Sequence, residues 1–264
     1  RRQRQMCIRD SFTEAEAVRR AIYLAGQTDT PLYIAHMTCR EAIAELQKAK
    51  GTGQRVSGET CTHYLTTTKE VLDNSDFNEA AKFVCSPALR DQEDCEALWQ
   101  ALAGGLLTAV SSDHCGIDVA ELKQAGRDDF TQIPNGSPGA GDRLHMVWTE
   151  GVCTGKLSRQ KFVDVIATQP AKINGIYPRK GTLAVGSDAD IVIFDPSYEG
   201  VIRLADNPNG VDYNLYEGHR QSGRVETVLL RGQVVVENAK FVGRYGQGQF
   251  IPASMYASGY ENRN

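Results

Sequence analysis

Two side chains that commonly bind metals each stand at the end of an apolar run of this sequence. His36 closes the run PLYIAH (31–36), and Asp113 comes directly after LLTAVSS (106–112). An ionised aspartate after an apolar strand is costly to bury without a metal, a hydrogen-bond network or a charged partner. Imidazole and carboxylate groups are ligand types of hydrolytic Zn²⁺ sites. Two ligands do not complete such a site, because catalytic zinc uses three protein ligands and one open position.

Both residues also have a purely structural interpretation. A lone histidine on an apolar strand is commonly a packed core residue, and an aspartate that follows serine is common in turns and at helix starts. The remaining histidines show no ligand pattern, and we expect them to pack or to support a ligand: His63, His114, His145 and His219. Position in the fold therefore decides between the two interpretations.

The elements around these residues predict a parallel sheet. Apolar β-rich segments predict strands, and amphipathic segments between them predict helices: strands at 31–36, 55–61 and 106–112, helices at 40–50 and from Asp91 to Gly104. Strands that alternate with helices form right-handed βαβ units. Because the carboxyl ends of such strands share one edge, in an open sheet or a closed barrel, we expect His36 and Asp113 at that edge.

Three weaker signals predict a further helix, a possible strand and a binding loop. Thr13, with Glu16 three residues later, predicts a capping box and a helix that ends near Gly26. The short apolar run 83–85 predicts a possible fourth strand. The loop 130–141 is rich in glycine, proline and asparagine and is of the kind that carries binding residues.

The pattern changes beyond Gly181. Segments such as ADIVIFDP, VETVLLRG and QVVVENAK have β-branched or alternating character and are joined by turns that contain glycine. This is typical of antiparallel β structure. We therefore predict an α/β part at residues 1–176 and a small β-rich region at 177–264, which ends in a polar tail at 257–264.

The composition of the 264 residues excludes disordered and fibrous classes, since 41% are hydrophobic and 23% charged. A net charge of −4 favours a small-molecule or protein partner over nucleic acid or an anionic membrane.

The 7 cysteines are scattered without a C-x-x-C pair, and no apolar run approaches the roughly 20 residues that span a bilayer. We expect a cytoplasmic protein. Because the first residue is Arg1 and not methionine, we also expect a processed chain or part of a longer one.

Several collinear motifs then resemble one known family over essentially all 264 residues. They are PLYIAHMT, GETCTHYL, FVCSPALRD, LTAVSSDHC, IPNGSPGAGDRL, QPAKINGIYPRKGTLAVGSDADIVIFDP and YEGHRQSGRVETVLLRGQVVVE. In this order they resemble the C-terminal half of the dihydropyrimidinase/hydantoinase family, within the amidohydrolase superfamily. The resemblance implies the C-terminal part of a (β/α)8 TIM-like barrel followed by a small β-sandwich region. It also implies metal-dependent hydrolysis of cyclic amides, such as dihydropyrimidines and 5-substituted hydantoins.

The same resemblance implies roles for four residues. His36 is a metal ligand, and Asp113 binds the other metal and handles the proton of the attacking water. Backbone groups at Ser86 and Asn135 hold the cyclic amide. The implied cofactor is a pair of Zn²⁺ ions per active site of the full-length parent, and the implied assembly is a homo-oligomer, a tetramer by resemblance, without nucleic acid or membrane partners.

Other parts of the family pattern have no match in this chain. A first-strand His-x-His pair, a carbamylated lysine, a further histidine and a tyrosine that contacts substrate would all precede Arg1. We therefore expect an incomplete metal site and no activity of the chain alone. Thr62 and Gly116 stand where proline is usual, and Gly141 where an acidic residue is common; these differences bear on loop shape and substrate preference.

Two alternatives remain at this point. A non-catalytic collapsin-response-like relative has the same fold but loses the aspartate and histidine ligands, so the presence of His36 and Asp113 favours an enzyme. A sister cyclic amidohydrolase, an allantoinase or a dihydroorotase, is the other alternative. The IPNG loop (133–136) and the run QPAKINGIYPRKG (169–181) are most similar to dihydropyrimidinases.

Overall fold

A computed structural model describes residues 10–254 of the chain. Cys7 and the polar tail predicted at 257–264 lie outside the described residues. The described chain is of the α/β class and contains one parallel and one antiparallel sheet. Both kinds of sheet agree with the prediction from the sequence.

The parallel sheet has three strands in the order β1, β2, β3. These are β1 Leu32–Ile34, β2 Val56–Cys61 and β3 Ala109–Ser111. The central strand β2 pairs with both neighbours, with Leu32 beside Val56 and Ala109 beside Glu59. Since all the pairings are parallel, the three strands end at the same edge of the sheet.

The third strand is shorter than the segment 106–112 that predicts it. The N–H groups of Leu106 and Leu107 donate to the carbonyl of Ala101, at 2.8 and 3.0 Å. These two leucines therefore belong to the turn that follows the preceding helix. Leu107 is still fully buried, so its apolar character reflects the core and not strand pairing.

The fourth strand predicted at 83–85 is wrong. The N–H groups of Phe83 and Val84 donate to the carbonyls of Ala80 and Ala81, at 3.2 and 3.3 Å. These are bonds of a helical turn, which leave the segment without a strand partner. The apolar side chain of Val84 instead packs in a small cluster with Ala88 and Ile133.

Five helices belong to the first half of the described chain: α1 Ser11–Gln27, α2 Arg40–Gly51, α3 Thr62–Thr66, α4 Phe77–Ala81 and α5 Gln92–Ala103. Asp10 caps α1 by accepting a hydrogen bond from the N–H of Phe12 at 3.1 Å. The capping box predicted at Thr13 and Glu16 is therefore wrong, because the helix already begins at Ser11. Side chains of these helices and of the strands share one core, which includes Leu46, Val56, Leu98, Leu102 and Val110.

Three short helices follow: α6 Arg143–Val147, α7 Arg159–Val163 and α8 Gln169–Ile173. A π-helical turn at Trp148–Val152 extends α6, and another at Asp164–Thr168 joins α7 to α8. The segments DRLHMVWTEGVCTG (142–155) and SRQKFVDVIAT (158–168) predict two continuous helices here. The wider turns are a local feature that hydrophobic periodicity does not resolve.

The antiparallel sheet has four strands in chain order: β4 Ile191–Val201, β5 Arg220–Leu230, β6 Gln233–Glu237 and β7 Lys240–Phe241. It packs on the α/β part through Phe194, whose ring lies 4.7 Å from that of Trp148. Thr149 Oγ1 also donates to the carbonyl of Ser222 at 3.2 Å.

The domain boundary at residue 176 remains a prediction. Between residues 10 and 254, no helix combines the length and apolar character needed to cross a membrane.

Candidate active site

His36 and Asp113 lie at the carboxyl edge of the parallel sheet, each two residues beyond its strand. Both have a positive φ, 41° for His36 and 44° for Asp113. A left-handed backbone is uncommon outside glycine, and at such positions it often accompanies function. The topology therefore brings the two predicted ligands to one edge, in matching backbone positions.

A buried ion pair holds the loop that carries His36. We define the His36 cluster as Glu14, His36, Thr38 and Arg90. Glu14 Oε1 accepts from the N–H of Thr38 at 2.8 Å, and Glu14 Oε2 accepts from Arg90 Nη2 at 3.0 Å. Arg90 Nε also donates to Thr38 Oγ1 at 2.9 Å. Because the side chains of Arg90 and Glu14 are only 8% and 12% exposed, these bonds fix the backbone just beyond His36 with little competition from water.

A cavity of 340 Å³ lies beside the same loop. Its lining includes Glu14, Ala17, Ala35, His36, Pro87 and Arg90. A water molecule occupies about 30 Å³ in the liquid, so the space is large enough for several waters or a small ligand. His36 therefore borders accessible volume and is not sealed within the core.

A second imidazole, His63, stands close to His36. Burial, and to a smaller extent the charge of His36, lower the pKa of His63 to about 4. Within residues 10–254, the buried Nε2 atom of His63 has no hydrogen-bond partner. His63 is therefore a neutral imidazole at pH 7 with an unsatisfied nitrogen, an arrangement that packing alone does not explain.

Asp113 is exposed. Its charge affects the pKa values of two side chains at or just beyond the end of the central strand β2. Burial raises the pKa of Cys61 and of Tyr64, and the charge of Asp113 contributes in the same direction. The next residue, His114, accepts a hydrogen bond at Nδ1 from the N–H of Gly139 at 3.3 Å. The loop after β3 is thus tied to the loop that carries the IPNG motif.

Ser86 and Asn135 lie side by side although 49 residues separate them. Ser86 Oγ donates to Asn135 Oδ1 at 3.2 Å, and the N–H of Gly136 donates to the carbonyl of Val84 at 2.9 Å. Pro87, the neighbour of Ser86, lines the cavity beside His36. The fold therefore joins the two predicted substrate-binding residues into one exposed surface near His36.

Residues 29–235 match the Amidohydrolase family. The chain belongs to the amidohydrolase family. The matched region runs from just before β1 into β6, so it includes His36, Ser86, Asp113 and Asn135.

Individual amidohydrolases are similar over nearly the whole chain. A D-hydantoinase of Ralstonia pickettii is 48% identical over 243 residues, which cover 92% of this chain and 53% of the relative. A dihydropyrimidinase of Arabidopsis thaliana is 39% identical, over 94% of this chain and 47% of the relative. The crystal structure of dihydropyrimidinase from Brevibacillus agri superimposes with a TM-score of 0.92 at 44% identity, over 94% of this chain and 54% of that one. The chain thus spans about half the length of the curated relatives it matches.

Amidohydrolases are generally metal-dependent, and the donor chemistry at this edge fits a divalent metal. Imidazole nitrogen and carboxylate oxygen are suitable ligands for zinc and its neighbours. Among residues 10–254, no group of three or more His, Cys, Asp or Glu side chains is placed to hold an ion. His36 and Asp113 therefore supply part of a donor set, and their ligand roles remain predictions.

Two of the departures from the amidohydrolase pattern have a steric reason in this chain. At Gly141, a Cβ atom would lie 2.9 Å from Asn207 Oδ1, and the N–H of Gly141 donates to Asn209 Oδ1 at 2.9 Å. At Gly116, a Cβ atom would lie 2.9 Å from Val211 Cγ1. A larger residue at either position would displace the loop at 207–211, so these glycines match the local shape of this chain.

Sequence reasoning missed Glu14 and Arg90, which are 76 residues apart. Glu14 lies in a polar helical segment and Arg90 follows the apolar run FVCSPAL (83–89), so no local pattern pairs the two charges. Coupled variation of the two positions among relatives is the signal that could reveal the pair.

Proposed function

We propose that the full-length protein hydrolyses a C–N bond of small cyclic amides, namely dihydropyrimidines and 5-substituted hydantoins. The observation that carries the proposal is the placement of both His36 and Asp113 at the carboxyl edge of one parallel sheet. Identity of 48% to a D-hydantoinase supports the reaction class. Because the chain spans about half of such relatives, the activity is proposed for the full-length protein.

We propose that β1, β2 and β3 with their helices form the C-terminal part of a (β/α)8 barrel, within residues 1–176. Residues 177–264 would contribute the small β-sandwich region. The TM-score of 0.92 to a dihydropyrimidinase supports this architecture. Adjacent parallel strands flanked by helices are also the units from which such barrels are built.

His36 and Asp113 would each hold one ion of a two-zinc site, completed by residues that this chain does not contain. When bound, zinc lowers the pKa of water and polarises the carbonyl group of the substrate. The imidazole and carboxylate donors support zinc over magnesium or calcium, which prefer oxygen ligands.

Asp113 would move the proton in this reaction. Its carboxylate accepts a proton from the attacking water and then delivers it to the ring nitrogen as the C–N bond breaks. Exposure of Asp113 at the end of β3 leaves room for a substrate beside it. Backbone groups at Ser86 and Asn135 would meanwhile hold the amide of the ring, and the bond between their side chains keeps the two loops together.

The test is hydrolysis of dihydrouracil and a 5-substituted hydantoin by the full-length protein, followed by chromatography of the ring-opened acid. We expect turnover by the natural protein and loss of nearly all of it in Asp113→Asn, because the amide cannot accept the proton. Asp128→Asn, an exposed aspartate after the same strand, is the matched control and should retain activity. Equal rates in the two variants would refute the role of Asp113.

We also propose a cytoplasmic location and a homo-oligomeric assembly. Five of the described cysteines have free thiols: Cys39, Cys61, Cys95, Cys115 and Cys153. Free thiols are the usual state in a reducing compartment, which supports the location. Light scattering of the full-length protein measures the assembly directly, and a monomer would contradict it.

A further inference from the structure

Lys123 is a fully buried cation outside the site described so far. Lys123 is 0% exposed. It is the first residue of a 3₁₀ turn at Lys123–Gly126. Burial of an ammonium group is strongly unfavourable unless hydrogen bonds replace its hydration. Nζ donates to the carbonyl oxygens of Ala81 at 2.7 Å, Gly136 at 2.8 Å and Val84 at 3.3 Å.

These acceptors belong to the two loops that carry the predicted substrate-binding residues. Val84 lies two residues before Ser86, and Gly136 directly follows Asn135. Carbonyl oxygens of separate segments repel one another when they converge, whereas a central ammonium attracts them all with charge-assisted bonds, roughly twice as strong as neutral ones. Lys123 therefore bonds to both loops at once.

The turn that carries Lys123 also packs directly on one of these loops. A Cβ atom at Gly126 would lie 2.0 Å from Ile133 Cγ1 and 2.8 Å from the backbone nitrogen of Ile133. Ile133 is buried, two residues before Asn135. The position of the turn is thus transmitted to Asn135 by close packing as well as by the ammonium.

We propose that Lys123 is a positioning residue for substrate binding. It holds the loops of Ser86 and Asn135 at the spacing at which backbone groups of both reach one cyclic amide. The inference rests on the proposed function, and it adds a residue that touches neither the metal ligands nor the ring. Its loss should weaken the binding of substrate and transition state alike, and so raise KM while kcat stays nearly constant.

The experiment compares Lys123→Gln and Lys123→Met with Lys82→Met in the full-length protein. Lys82 is the matched control, because it lies between Ala81 and Val84, whose carbonyls accept from Lys123, while its own Nζ forms an ion pair with Glu79 at 2.6 Å. If Lys123→Met does not fold, Lys123→Gln carries the test, since its amide keeps two N–H donors. The measurements are KM and kcat for dihydrouracil, bound metal, and hydrogen exchange of peptides that cover 82–90 and 131–137.

We expect KM to rise by about tenfold or more in the Lys123 variants, with kcat within about threefold and unchanged metal content. Exchange should become faster in both peptides, and Lys82→Met should behave as the natural protein. Unchanged KM with a lower melting temperature would show a merely structural lysine and overturn the inference. Loss of metal or of kcat at constant KM would overturn it as well. Absence of turnover in the natural protein would instead refute the proposed function, and the role of Lys123 with it.

Discussion

The His36 cluster and the surroundings of Lys123 both place a buried charge beside a functional loop, but their partners differ. Arg90 pairs with the carboxylate of Glu14, a side chain from α1. Lys123 is bonded to backbone carbonyls, including those of Ala81 and Gly136. The first arrangement includes a bond between two side chains, whereas the second includes bonds from a side chain to the backbone.

This difference determines how each region responds to mutation. Removal of either Glu14 or Arg90 breaks a buried ion pair, which is one of the most destabilising single changes. Replacement of both Glu14 and Arg90 by apolar residues removes both charges from the interior, so neither charge has to be buried. The backbone carbonyls that accept from Lys123 cannot be removed by mutation, so its replacement leaves these acceptors in place.

The largest expected effect is that of Glu14→Gln. We expect the free energy of unfolding of the full-length protein to fall by about 3 kcal/mol or more, because the change breaks the buried ion pair between Glu14 and Arg90. Urea unfolding measures the change. The control is Glu16→Gln, whose exposed partner Arg20 lies at 3.2 Å; such a surface pair contributes about 0 to 1 kcal/mol.

A combined Glu14→Met and Arg90→Met variant sharpens this prediction. It should be more stable than Glu14→Gln, since both charges leave the interior together. If Glu14→Gln is no more destabilising than Glu16→Gln, the buried pair does not hold the His36 loop.

A smaller effect is expected from Gly126→Ala. The new methyl group would meet Ile133 Cγ1 at 2.0 Å, so the loop before Asn135 has to move, and overpacking of this kind costs about 1 to 3 kcal/mol. We expect a higher KM for the cyclic amide and a lower melting temperature. Gly51→Ala is the control, because nothing lies within 4 Å of its Cβ position. Equal KM values for both variants would show that the turn does not position the loop.

Asp142 offers a third buried charge, surrounded by neutral donors. Its carboxylate oxygens accept from the side-chain amides of Asn207 at 2.8 Å, Asn214 at 3.2 Å and Asn209 at 3.4 Å. Burial raises the pKa of Asp142, and the amides offset only part of this shift. The folded state therefore binds the proton more tightly than the unfolded chain does.

The smallest expected effect follows from that pKa. As the pH rises from about 4 through the raised pKa of Asp142, the folded state loses the stability that the bound proton contributes, and above that pKa the loss is constant. Asp142→Asn cannot titrate. The stability of the natural protein relative to this variant should therefore decline across that range, as measured by melting temperatures at pH 4, 5, 6 and 7. A difference that is constant or grows with pH would contradict the prediction.

Sequence patterns predict the parallel edge well, because it depends on short-range signals. Apolar runs before His36 and Asp113 mark the ends of β1 and β3, and alternation with helices dictates a common edge. A similar apolar run wrongly predicts a strand at 83–85, because the burial of Val84 gives the same apolar signal as strand pairing.

Long-range polar contacts are beyond such reasoning. Lys123 and Arg90 resemble surface residues in the sequence, and only the folded chain shows that the first is fully buried and the second nearly so. The pairing of Ser86 with Asn135 is likewise a product of two loops that the chain brings together over 49 residues. Family resemblance names these two residues, but their contact depends on tertiary structure.

The central claim is that the ends of β1 and β3 hold the metal of this amidohydrolase. Its most direct test is the metal bound per protomer of the full-length protein, determined by mass spectrometry after gel filtration in metal-free buffer. Natural protein is compared with His36→Asn, Asp113→Asn and the control Asp128→Asn. We predict bound zinc in the natural protein and the control, and a clear loss in both ligand variants, because removal of a ligand weakens binding. Equal metal content in all four proteins would contradict the account.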